Sequence, residues 1–245
     1  MTRTARATLL LVIANLAVYL VMFAGWMLRG FFPELPEKMV GLLTFPGDPR
    51  ELLFVPWTSV TYMFTQISFL HLTVNMLWLA GFGAMMKGDW WQTAGAYLAG
   101  GIAGAVAFSM YTIYAGLPGE HLAGASASVI AVVAATTILT PERRVRLLLI
   151  GDIRLKWVAP IALLTIFAGF SAETVAHLGG LFAGCCAGAL LRFHDKAIAR
   201  RAMREARRRT MRMKILQKAS SSGFASLSEE ERRELFDLTR QRYSG

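Results

Sequence analysis

Apolar residues in this chain do not alternate with polar ones; they gather into long runs separated by short charged or proline-rich stretches. Six runs read as helices of about membrane-spanning length. They are Thr8 to Leu28, Leu70 to Met86, Ala94 to Tyr114, Leu122 to Leu139, Trp157 to Phe170, and Thr174 to Leu191. The fifth is short and carries Pro160 near its start. The first is too long for the apolar core of a cleavable signal and reads as a retained span. The pattern therefore predicts an all-α membrane protein, a six-helix bundle over residues 1–192 followed by a helical appendage over 193–245.

Composition agrees: 55% of the 245 residues are hydrophobic, 17% are charged, and mean hydropathy is +0.45, outside the usual range of soluble domains. Charge then orients the bundle. Arg3 and Arg6 precede the first run, and Arg143, Arg144, Arg146, Arg154 and Lys156 lie between the fourth and fifth. From Arg192 onward there are 15 Lys/Arg against 7 Asp/Glu, or +8 of the formal +10. The connections after the first, third and fifth runs are acidic on balance, with Arg29, Lys38 and Arg50 against Glu34, Glu37, Asp48, Glu51, Glu120 and Glu173. Positive loops stay in the cytoplasm, which places both termini inside and fits an even number of spans. A basic tail that follows a span reads as cytoplasmic placement, and no nucleic-acid partner is expected.

Two connections have features of their own. Residues 29–69 form a long outer loop with Pro33, Pro36, Pro46, Pro49 and Pro56, yet Leu52 to Phe69 is apolar and aromatic. Short helices lying in the outer interface are expected there, with Trp57 and Tyr62 as ordinary headgroup anchors. In the tail, Lys196 to Lys218 suits a basic helix, compatible with anionic lipid and equally with plain solvation. A Ser220-Ser221-Ser222-Gly223 break follows, and Ser228-Glu229-Glu230-Glu231 fits a capping box that opens a last helix. Cys185 and Cys186 are adjacent, have no second pair to form a metal site, and read as small buried hydrophobes.

Chemistry enters with two residues. Ser126, in Gly124-Ala125-Ser126-Ala127, lies near the start of the fourth run, and His177, in Ala176-His177-Leu178-Gly179-Gly180, near the start of the sixth. A histidine is costly inside a membrane span and marks a functional site by default. A serine hydroxyl becomes a nucleophile once a base takes its proton, and imidazole is the usual base. Spans two, four and six all run from outside to inside. His71, Ser126 and His177 therefore share a depth a short way below the outer surface, which independent polar residues have no reason to do. Ala123, Ala127, Ala131 and Ala135 recur every four residues, as do Gly180, Gly184 and Gly188. Such small-residue faces let membrane helices approach closely and predict contact between the fourth and sixth spans.

Together these segments, with His71-Leu72-Thr73-Val74-Asn75 on the second span, resemble the rhomboid intramembrane serine proteases in their six-span bacterial form. Pro56-Trp57-Thr58-Ser59-Val60-Thr61-Tyr62-Met63-Phe64 also resembles the first loop of that family, and the likeness covers roughly Thr8 to Leu191. The resemblance implies a rhomboid-like bundle in a bacterial inner membrane that cleaves single-span membrane proteins in or near their span. It implies a Ser126–His177 dyad, His71 and Asn75 as oxyanion donors, and neither metal nor cofactor. Asn75 read on its own is also compatible with an interhelical hydrogen bond. The sequence differs from the family pattern at Thr58, Lys87, Ala127 and Ile130. Two other classes remain at this stage. A rhomboid-like protein that binds membrane clients without cutting them would have lost the serine or histidine. A transporter would need polar groups reaching the inner face.

Overall fold

The computed structural model describes residues 3–147, 151–157 and 171–243. They divide into two compact units, Met1–Arg192 and Phe193–Gly245.

In the first unit, α1 (Arg3–Met27) is followed by a 3-10 turn to Gly30, and α5 (Trp90–Ala115) opens on a capping box between Asp89 and Gln92. With α7 (Ala172–Ser222) these are the described helices long and apolar enough to cross a membrane. The pair α3 (Thr58–Thr61, continued by a 3-10 turn to Phe64) and α4 (Phe69–Met85) reaches that length only together, with a bend of 92° between them. The expected fifth span, Trp157 to Phe170, lies outside the described residues beyond Trp157.

The fourth run is where helix and apolar pattern part company. The helix, α6, covers only Ser126–Leu139, not Leu122–Leu139. At 14 residues it is about 21 Å long, short of the ~30 Å hydrocarbon layer. The lost turn has a physical cause. His121–Leu122 (β2) pairs antiparallel with Phe45–Pro46 (β1), and Gly124 has φ +124°, which a continuing helix cannot hold. A short helix is tolerated because α6 is wrapped by protein: Ala127 to Thr137 is buried except for the half-buried Ile130.

The expected small-residue contact forms, and α5 joins it. Every fourth residue of α7 from Ala172 to Gly188 is buried. Gly180 lies against the backbone of Ala127, Gly184 against Ala131, and Gly188 against Ala135. Gly100 and Gly104 of α5 meet the same two alanines, Ala131 and Ala127. Cys186 is exposed, away from this seam, rather than buried; Cys185 is half-buried.

The long loop also corrects the expectation. It contains α2 (Leu35–Leu43), and Leu53 and Phe54 are exposed as interfacial residues should be. The stretch from Tyr62 to Gln66 instead enters the core: Tyr62, Met63, Thr65 and Gln66 are all essentially inaccessible. Two glycines of α5 leave room for it: a Cβ at Gly104 would lie 3.3 Å from the Tyr62 hydroxyl and one at Gly101 would collide with the Met63 side chain, while the Tyr62 hydroxyl donates to the Gly101 carbonyl (2.5 Å). Trp57 stays half-exposed and donates its indole N–H to the Leu42 carbonyl (2.8 Å), which ties the loop to α2.

Beyond α6, Arg144–Leu147 (β3) and Gly151–Arg154 (β4) form an antiparallel hairpin. Glu142 at its base accepts from Lys156 (2.8 Å) and Arg154 (3.0 Å), and these contacts, the Lys156 hydrogen bond first, hold its carboxyl below the usual range.

In the second unit the helix that began in the first runs on to Ser222, and Gly223 (φ +82°) ends it. The expected capping box forms: Glu231 N–H donates to Ser228 Oγ (3.2 Å) and Ser228 N–H to Glu231 Oε2 (2.8 Å), opening α8 (Glu229–Tyr243). Lys218–Glu231 (2.7 Å) and Arg212–Glu234 (3.2 Å) tie the two helices of this unit together.

Candidate active site

Ser126 is the first residue of α6, so the strand pairing and the Gly124 turn that shorten the helix also set the position of the serine. Gly124 N–H donates to the Tyr62 carbonyl (3.0 Å) and Gly47 N–H to the Glu120 carbonyl (2.7 Å), so the long loop fixes the approach to α6 at two points. A serine in the first turn has a further chemical property. The leading N–H groups of a helix lack intrahelical acceptors and carry its positive dipole end, which suits a nearby developing anion.

His177 lies near the start of α7, one turn before Gly180. The close approach of Gly180 to Ala127 brings two residues 51 positions apart together: His177 Nε2 and Ser126 Oγ are 2.7 Å apart, a hydrogen-bond distance. Both residues are half-buried. The other ring nitrogen, Nδ1, is buried without a partner among the described residues, and Glu173, one turn earlier, is exposed. For Nε2 to accept the serine proton the ring must carry its hydrogen on Nδ1. The arrangement among the described residues is therefore a pair, with no carboxylate as third member.

α4 contributes the other two candidates. His71 borders Gly124: a Cβ on that glycine would lie 3.2 Å from His71 Cε1. Asn75, one turn deeper and buried, donates its amide to Gln66 Oε1 (3.4 Å). The remaining histidines serve elsewhere. His121 Nδ1 faces Thr44 Oγ1 (3.2 Å) beside the β1–β2 pairing, and His194 is an exposed residue of the second unit. Among the described residues no group of three or more His, Cys, Asp or Glu is placed to hold a metal ion.

Gln66, Asn15 and Tyr97 were not expected here, yet all three are fully buried and joined to Asn75 by hydrogen bonds. The available signal was Asn15, an amide in the middle of an apolar span, which must find a polar partner.

A comparison with curated proteins finds no match to the chain. The family model for the Rhomboid domain matches residues 54–193, a stretch that includes His71, Asn75, Ser126 and His177. That match extends over more than half of the sequence and takes in the apolar helices α4, α5 and α6, so this chain is an integral membrane protein of the rhomboid family, whose members are generally serine intramembrane proteases.

Proposed function

We propose that this protein is an active intramembrane serine endopeptidase that cuts single-span membrane proteins in or near their span. The observation that carries this reading is the 2.7 Å approach of His177 Nε2 to Ser126 Oγ. Ser126 attacks the scissile carbonyl as His177 takes its proton. The resulting imidazolium passes that proton to the leaving amine, and water, deprotonated by the same histidine, releases the acyl group. The oxyanion is met by the Ser126 backbone N–H together with His71 and Asn75, donors that act strongly where water is scarce. No metal or cofactor takes part.

The reading of the chain as a whole follows the same line. We read residues 1–192 as the six-span core that the apolar pattern predicts, and residues 193–245 as a basic cytosolic helical tail. Lys/Arg bias puts both termini on the cytoplasmic side, and the fit is to a bacterial inner membrane.

The test is cleavage of a single-span substrate by purified protein in lipid vesicles. Wild type should cut, while Ser126→Ala and His177→Ala should each be inactive yet melt within a few degrees of wild type. A folded wild type that cuts none of several helix-destabilised substrates would sink the proposal in favour of a client-binding protein.

A further inference from the structure

Gln66 sits in the short link between the 3-10 turn ending at Phe64 and α4, is 1% exposed, and has no part in the chemistry above. Its Oε1 accepts from Asn75 Nδ2 (3.4 Å) and its Nε2 donates to Asn15 Oδ1 (3.3 Å). Asn15 Nδ2 donates to the Leu11 carbonyl of its own helix (2.9 Å) and to the Tyr97 hydroxyl (3.0 Å). The Tyr97 hydroxyl donates to the backbone carbonyl of Met63 (2.7 Å).

The far end of this series fixes the near one. A carbonyl can only accept, so Tyr97 spends its single hydrogen on Met63 and must accept from Asn15. Asn15 therefore turns its nitrogen to Tyr97 and its oxygen to Gln66. Gln66 in turn presents its nitrogen to Asn15 and its oxygen to Asn75. The oxygen facing Asn75 admits only the nitrogen of that amide. Reversing any one side chain would set like against like in a buried site, where unsatisfied polar groups are costly.

We propose that Gln66 is a positioning residue that holds Asn75 with its NH2 group committed to donation, one N–H used on Gln66 and the other available to the oxyanion. The proposal rests on the reading of Asn75 as an oxyanion donor. Gln66 acts through Asn75 alone and touches neither substrate nor nucleophile.

The experiment is a double-mutant cycle in lipid vesicles, with kcat, KM and melting temperature measured for Gln66→Met, Asn75→Ala and the double variant. Methionine matches glutamine closely in length and removes both hydrogen bonds. Asn75→Ala should lower kcat about 10²-fold. Gln66→Met should lower kcat about tenfold or more with little change in KM, and should lower it no further in the Asn75→Ala background. Gln66→Asn keeps an amide in place but draws its carbonyl back by about 1.5 Å, one C–C bond. It is expected to behave the same way, and it carries the test if Gln66→Met does not fold. Slow Asn75→Ala beside full-rate Gln66→Met and Gln66→Asn would overturn this inference and leave the oxyanion reading standing. Equal fold-losses in the wild-type and Asn75→Ala backgrounds would also overturn it, since Gln66 would then act by general packing. Full-rate Asn75→Ala would overturn both.

Discussion

Replacing Gly180 by alanine adds one methyl group where α7 meets α6, and its consequence can be worked through to a rate. A Cβ at Gly180 would lie 2.9 Å from Ala127 Cα and 2.8 Å from its carbonyl carbon, with the carbonyl oxygen closer still. Carbon–carbon contacts settle at about 3.5–4.0 Å, so the helices must part by roughly 0.6 Å or more. Every atom in the way is backbone, and no side chain can swing aside. Ser126 directly precedes Ala127, and His177 is one turn before Gly180, so much of that shift enters the 2.7 Å Oγ–Nε2 distance. A misplacement of order 1 Å in a reacting pair costs about 10²-fold in rate. Gly95→Ala is the matched control, since a Cβ there meets nothing within 4 Å on an exposed part of α5. With both variants in vesicles and a single-span substrate, Gly180→Ala should lose about two orders of magnitude in kcat while Gly95→Ala stays near wild type. Wild-type cleavage by folded Gly180→Ala would refute the idea that this close approach sets the geometry of the pair. Equal losses in the two variants would refute it as well.

Three further outcomes follow from other parts of the molecule. Gly124→Ala places a side chain at φ +124° and 3.2 Å from His71, so it should destabilise by about 1–3 kcal/mol and slow cleavage. An unchanged melting temperature would count against the strain argument. Tyr97→Phe strips the Met63 carbonyl and the Asn15 amide of a buried partner, for a cost of about 1–3 kcal/mol, readable as a lower thermal midpoint in micelles. In the second unit, the hydrogen bond from Lys218, then that from Ser228 N–H, lowers the Glu231 carboxyl below 4.5. A depressed carboxyl stabilises the folded state above 4.5 and loses that contribution as pH falls through its folded value. Pulsed hydrogen exchange on the full-length protein should show the start of α8 loosening only below pH 4.5. Loosening that begins near neutral pH would assign the helix start to some other group.

Much of the candidate site was legible because its signals are local and chemical. A histidine and an asparagine inside apolar helices stand out against their neighbours, and a serine between small residues matches a short motif. The capping box at Ser228 is equally local, and it forms as its four residues predict. Tyr62 and Gln66 gave no such signal. An aromatic residue in a proline-rich outer loop looks like a headgroup anchor, and a glutamine beside it looks like solvated loop. The missing side chains at Gly101 and Gly104, on a helix far along the chain, leave room for Met63 and Tyr62 in the core.

The division has a physical basis. Apolar runs, charge bias and small-residue spacing are properties of a segment and its solvent, so the sequence by itself determined that this is a helical membrane protein and which faces could approach. The start of α6 was beyond it. Leu122 to Leu139 is one unbroken apolar pattern, and the helix begins at Ser126 because β1, from a loop some 75 residues earlier, claims His121 and Leu122 for a strand pairing. The Ser126–His177 distance and the single direction of the Asn75–Gln66–Asn15–Tyr97 series likewise depend on helices packed across long chain separations. Helix contact at glycine is a question of a few tenths of an ångström, and such distances exist only once the bundle has closed.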